Sequence, residues 1–148
     1  MIFYEINYFL SMSLLLLFSS SFAFADEYIV DIPFGTFNPK LNTPAEIWRD
    51  PFQISVSVDD TIIWYNDDRE GHTVTSGEGS GRFDWMDDNF GNSDAQFDSA
   101  RFMPDESWLY KFEKHDIFSY YCTIHPWMEG IVIVEKNSHI TQRKLGVI

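Results

Sequence analysis

The segment Cys122-Thr123-Ile124-His125-Pro126-Trp127-Met128 sets a thiol, an imidazole and a thioether within seven residues. Strand-forming runs bracket it, Ile117 to Cys122 before and Ile131 to Glu135 after. Cys122 is the single cysteine of the chain. A loop this short can wrap three side chains around one ion, but no local turn can close the coordination sphere. A fourth ligand must come from a distant strand, so the fold has to bring remote strand ends together at one tip. His72, in Glu70-Gly71-His72-Thr73-Val74-Thr75, lies fifty residues upstream and just after the strand-like Thr61-Ile62-Ile63-Trp64-Tyr65.

Two imidazoles, one thiolate and a weak thioether form the ligand set of an electron-transferring copper centre. Soft sulfur suits Cu(I), and imidazole suits both oxidation states. A trigonal plane of two nitrogens and a sulfur, with a distant thioether, is a compromise that neither state strongly disfavours. Taken singly, a Cys is ordinarily a small buried hydrophobe, a His a satisfied polar residue and a Met a packing residue. Their combination as Cys-x-x-His-x-x-Met, followed by Glu-Gly-Ile-Val-Ile-Val-Glu, points to a metal site. Zinc is the rival ion for a Cys-His-His set, and Met128 is the discriminator, since zinc gains little from a thioether. His115, in a turn, and His139, in the tail, have no ligand context.

Short alternating segments dominate the chain. Tyr28 to Ile32 reads as a first strand, and Phe52-Gln53-Ile54-Ser55-Val56-Ser57-Val58 alternates strictly. Asp59-Asp60 makes a turn, Thr61 to Tyr65 returns, and Asn66-Asp67-Asp68 breaks that strand. His72 to Thr75 is expected as a short strand. Trp108 to Glu113 sets Trp108, Tyr110 and Phe112 on one face, and Ile117 to Cys122 does the same for Phe118, Tyr120 and Cys122. Gly77 to Ala100 reads as a long acidic loop broken by glycines, and Thr43 to Trp48 as a single helical turn at most. The pattern predicts an all-β, two-sheet antiparallel sandwich.

Those residues carry a family resemblance. Tyr120 to Gly130 resembles the C-terminal ligand loop of the cupredoxins, the small blue (type 1) copper proteins, and is nearest their plastocyanin-like and amicyanin-like members. Gly71-His72-Thr73-Val74-Thr75-Ser76-Gly77 is similar to the segment that supplies the first histidine of that family. Phe97-Asp98-Ser99, Pro104 to Ser107 and Tyr110-Lys111-Phe112 are similar to the paired strands before its copper loop. The likeness runs from about Asp31 to Glu135. It implies a Greek-key β-sandwich with one mononuclear copper per chain, held by His72, Cys122 and His125 with Met128 axial. In such an arrangement His125 lies near the surface, and Pro126 and Trp127 beside it offer an apolar docking patch. Amides next to His72 and after Cys122 are expected to donate to the thiolate, and Asn66 to tie the ligand loops together.

The first twenty-five residues read as an export signal, with an apolar stretch from Leu10 to Phe24 and a small-x-small site at Ala23-Phe24-Ala25. The rival reading is a retained anchor, although serines interrupt an apolar run that is short for a span of roughly twenty residues. Residues 26–136 then form one domain and 137–148 a polar tail. The expected location is periplasmic, extracellular or on the outer face of a membrane, with membrane contact only if the N-terminal segment is retained. A single cysteine excludes an intrachain disulfide.

The formal net charge is −13, and removal of residues 1–25 takes away only Glu5, leaving −12. Nucleic acid is excluded as a partner, because its phosphates repel such a chain. The same field either attracts basic proteins or only maintains solubility, and under the first reading a basic cytochrome or a copper oxidase or reductase is the expected kind of redox partner. The primary expectation is a single-electron carrier and not an enzyme, since the coordination sphere is filled and no further catalytic group accompanies it. The alternative is a copper-binding or copper-delivery protein without redox turnover. That class ordinarily uses several Met or Cys, whereas this chain has one Cys and five Met, two of them in the N-terminal segment.

Overall fold

The computed structural model describes residues 25–36, 48–80 and 90–136. Eight strands and no helix lie among the described residues: β1 (Glu27–Ile32), β2 (Gln53–Ser57), β3 (Thr61–Asn66), β4 (Thr75–Glu78), β5 (Asn92–Asp98), β6 (Ser107–Lys111), β7 (Asp116–Tyr121) and β8 (Glu129–Glu135). They form two sheets, β1-β3-β6 and β2-β8-β7-β4-β5. The all-β sandwich is as expected, but its sheets are mixed. β1 pairs with β3 and β2 with β8 in parallel, and the other pairings are antiparallel. Parallel neighbours need long crossovers rather than hairpins. Here each parallel pair joins strands well separated in sequence, a relation that alternation along one strand cannot reveal.

Period-two burial builds the core. Along β3, Ile62, Trp64 and Asn66 face inward, and along β8 the inward set is Gly130, Val132 and Val134. Trp64 ties the two sheets together. Its ring lies 5.3 Å from Trp108 on β6 and 5.5 Å, edge-on, from Tyr120 on β7. Phe97 of β5 joins the same cluster at 4.9 Å from Tyr110 and 5.8 Å from Phe112. Such ring pairs add about 0.5–1.5 kcal/mol each beyond the area they bury. The expected face of Trp108, Tyr110 and Phe112 is therefore present, with Phe112 just past the end of β6.

Two expectations differ from the structure in instructive ways. The strand expected at His72 to Thr75 begins at Thr75, and His72 makes only an isolated bridge to Phe102. The reason is where the amides go. Thr73 N donates to the Cys122 sulfur at 3.3 Å and Val74 N to the Ser99 hydroxyl at 2.8 Å, so neither feeds a ladder. The loop expected over 77–100 instead holds β5, paired antiparallel to β4. Only Phe97 of β5 is buried, and its Asn, Ser, Asp and Ala residues are poor strand formers. The fully buried Ser76 hydroxyl accepts from both Gln96 N and Phe97 N at 2.9 Å, which holds this polar edge strand in place. The acidic residues Asp84, Asp87 and Asp88, the N-terminal segment, all of the Thr43–Trp48 turn except Trp48, and the 137–148 tail with His139 lie outside the described residues. Among the described residues no helix is long and apolar enough to cross a membrane.

Candidate metal centre

The sandwich brings three of the candidate ligands together at one end. Cys122 directly follows β7, His125 lies in the loop before β8, and His72 stands between β3 and β4. The His72 backbone is pinned by two hydrogen bonds to Phe102, N to O at 3.1 Å and O to N at 3.0 Å. The ligand loop closes on itself. Cys122 N donates to Met128 O at 3.1 Å, and Met128 N to His125 O at 2.8 Å. Ser80 N reaches across to Pro126 O at 2.9 Å. Gly79 permits this approach, because a Cβ there would collide with that same carbonyl.

The two Nδ1 atoms and the sulfur form a triangle. His72 Nδ1 lies 3.8 Å and His125 Nδ1 3.7 Å from Cys122 Sγ, and the two nitrogens are 3.3 Å apart. A point equidistant from corners so spaced lies about 2.1 Å from each, inside the range of about 2.0–2.3 Å for metal–imidazole and metal–thiolate bonds. These are the three side chains able to hold an ion as one cluster among the described residues. His72 and Cys122 are fully enclosed, and His125 is half-buried. Met128 is also fully enclosed and packs into the core cluster beside Cys122. The donor set and its spacing fit a copper ion. His115 is exposed in the turn before β7 and belongs to no cluster.

Three further residues support the ligands, and of their contacts only the Thr73 amide, next to His72, was expected from the sequence. Asp68 Oδ2 lies 2.9 Å from His72 Nε2, with both side chains fully enclosed. The carboxylate takes the Nε2 proton as a hydrogen bond, so the His72 tautomer that results presents an Nδ1 lone pair to the triangle. Asp68 is held in turn. Its Oδ1 accepts from Gly35 N at 2.8 Å and Arg69 N at 2.7 Å, and its own N donates to Asn66 Oδ1 at 3.0 Å. Thr73 is the second. Its amide donates to the thiolate, and its hydroxyl accepts from Thr123 N at 2.8 Å. Thr73 therefore joins the ligand loops, the task expected of Asn66. Asn66 instead braces the His72 loop from within, donating to Glu70 O at 2.8 Å. Arg49 is the third. Between Asp68 and Arg49, only Asp68 had a usable sequence signal, a carboxylate four residues before a candidate ligand histidine.

Burial pushes the Cys122 thiol up, but its contacts with the His125 and His72 rings, the Arg49 charge and the Thr73 amide outweigh it and lower its pKa to about 4. The folded chain thus holds this proton less tightly than the unfolded chain does. The stability the thiolate contributes is fully present above about pH 8.5, where the unfolded thiol titrates. It is lost as pH falls towards about 4. In the metal-free protein, the difference in denaturation midpoint between the native chain and Cys122→Ser should shrink steadily across that window. A difference independent of pH would contradict the lowered thiol.

The surface beside the site differs in one respect from expectation. Pro126 is buried, its carbonyl committed to Ser80, and Ile124 stands 42 % exposed instead. The half-buried rings of His125 and Trp127 lie 5.5 Å apart beside it.

Residues 45–135 match the model of the family described as copper binding proteins, plastocyanin/azurin family. No curated protein matches the chain. Among solved structures, the chain is similar to a purple cupredoxin from Nitrosopumilus maritimus, with 26% identity and a TM-score of 0.59 over 73% of this chain and 99% of that one. Two amicyanin variants in the Cu(I) state share the fold. One has 20% identity and a TM-score of 0.50, over 74% of this chain and 82% of the other. The second has 22% identity and a TM-score of 0.51 over the same shares. The family match spans most of the described sandwich and includes every residue of the triangle, and the chain belongs to the plastocyanin/azurin family of copper-binding proteins, the cupredoxins.

Proposed function

We propose that this chain is an exported single-electron carrier that uses His72, Cys122 and His125 as the strong ligands of one copper ion, with Met128 axial. The observation that carries the reading is the triangle of donor atoms, sized for one ion. Copper supplies the one-electron Cu(II)/Cu(I) couple. The chain's own residues keep the change of oxidation state from becoming a change of shape. Asp68 and Phe102 fix His72, Thr73 fixes the sulfur, and the loop bonds through Cys122 N and Met128 N fix the rest. Enclosure of His72, Cys122 and Met128 keeps water out.

His125 is the one member of the set that is only half-buried, so it is the natural exit for the electron. Ile124 and Trp127 beside it give an apolar docking patch, and the acidic surface favours a basic redox protein such as a cytochrome, or a copper oxidase or reductase. A second route through Tyr121 draws less support. That ring is buried and packed against Gly91, as a strand tyrosine is expected to be.

The test is an equilibrium redox titration of the copper-loaded chain. The reading expects a reversible one-electron couple whose oxidised form absorbs intensely in the visible and whose reduced form is colourless. Irreversible loss of Cu(I) to a chelating acceptor, with no defined couple, would favour copper delivery instead.

A further inference from the structure

Among the described residues, Arg49 is the one fully buried arginine or lysine. It precedes Asp50, whose backbone is bonded to Asp31 at the end of β1 in both directions, at 2.8 and 2.9 Å. That bridge feeds the Arg49 side chain into the interior, where it is wholly enclosed. Its Nη2 donates to Thr73 O at 3.0 Å, and its Cζ lies 5.7 Å from the centroid of the Tyr120 ring. Gly130 makes room for that ring, since a Cβ there would collide with it. The other two guanidinium nitrogens, Nε and Nη1, are buried without a hydrogen-bond partner among the described residues. No carboxylate among the described residues lies in ion-pairing range.

A buried cation so poorly solvated is expensive unless an anion nearby compensates it. The nearest structural path leads to one. Thr73 takes the guanidinium hydrogen bond on its carbonyl and gives its amide to Cys122 Sγ at 3.3 Å. Two hydrogen bonds and one residue of standard geometry put the guanidinium no more than about 10 Å from the sulfur. Among the described residues, the enclosed charges at this end are then the Cys122 thiolate, the Asp68 carboxylate and the Arg49 guanidinium. With Cu(I) the set sums to zero, and with Cu(II) it carries one surplus positive charge. Without Arg49 the neutral state is the oxidised one.

We propose that Arg49 is a positioning and charge-setting residue of the copper centre, which raises its reduction potential by placing an enclosed positive charge behind the thiolate. The proposal rests on the copper reading above. Reduction adds one electron, drawn from a reference couple of known potential, and moves no proton or bond. At an effective dielectric of about 20, a unit charge about 10 Å away shifts that equilibrium by at least about tenfold. Tenfold corresponds to about 60 mV for a one-electron couple.

The experiment compares midpoint potentials of the copper-loaded native chain, Arg49→Met and Arg49→Lys. Arg49→Met should lower the equilibrium constant for reduction at least about tenfold while the visible band persists. Arg49→Lys, which keeps the charge, should restore most of the loss. Because the charge is enclosed, the Met–Lys difference should survive high salt. An unchanged potential in Arg49→Met overturns the proposal, as does an equal fall in Arg49→Lys, which would mark packing alone. Should Arg49→Met fail to fold, Arg49→Gln keeps a donor for the Thr73 carbonyl and carries the same expected loss. A native chain with no reversible couple would instead defeat the electron-carrier reading itself, a result visible before any variant is made.

Discussion

Cys122→Ser should strip the copper-loaded chain of its intense visible absorption, by at least about tenfold, because that band comes from electron density moving from thiolate to copper. A serine hydroxyl is neither soft nor anionic at neutral pH, so it supplies neither the band nor the preference for Cu(I). The fold itself should tolerate the change. Serine is slightly smaller and can still accept the Thr73 amide that now points at the sulfur. Near pH 4, where the thiolate contribution is gone, a cost of about 1 kcal/mol to the metal-free protein is the scale of one adjusted hydrogen bond, and the cost grows as pH rises. Paired spectroscopy and denaturation of the variant separate the two effects. A strongly coloured Cys122→Ser protein would remove the thiolate from the site.

Asp68→Ala should weaken copper binding by about 10- to 100-fold, the usual effect of deleting a partner that orients a ligating histidine. Three donors lose their acceptor together: His72 Nε2, Gly35 N and Arg69 N. Leaving an enclosed donor unsatisfied costs about 1–3 kcal/mol, so this substitution should also lower the stability of the metal-free chain. Asp68→Asn keeps the shape and one acceptor, and should fall between the two in both measurements. Competition titration with a copper chelator gives the affinity, and an affinity unchanged in Asp68→Ala would show that His72 needs no partner behind it.

Much of the centre was legible because its chemistry is concentrated. Cys122, His125 and Met128 fall in one seven-residue loop, and the strands on either side advertise themselves by alternation. The strand tips that carry His72 and Cys122 converge as the ligand set requires. What supports the ligands was far harder to see. The Thr73 amide was expected at the thiolate from its place beside His72, but its hydroxyl bond to a loop fifty residues away has no local mark. Arg49 lies between strands in sequence and enters the core only because Asp50 pairs with Asp31. β5 was hidden for another reason: its hold on the sheet is the buried Ser76 hydroxyl and the pairing with β4, not an alternating apolar face of its own. The parallel pairings of β1 and β2 likewise depend on long-range topology rather than on the residues of either strand.

X-ray absorption at the copper edge of the loaded chain tests the central claim most directly. The account predicts a coordination shell of two imidazole nitrogens at about 2.0 Å and one sulfur at about 2.2–2.3 Å, with one nitrogen lost in His72→Ala. A shell of nitrogen and oxygen alone, or one that His72→Ala leaves intact, would contradict it.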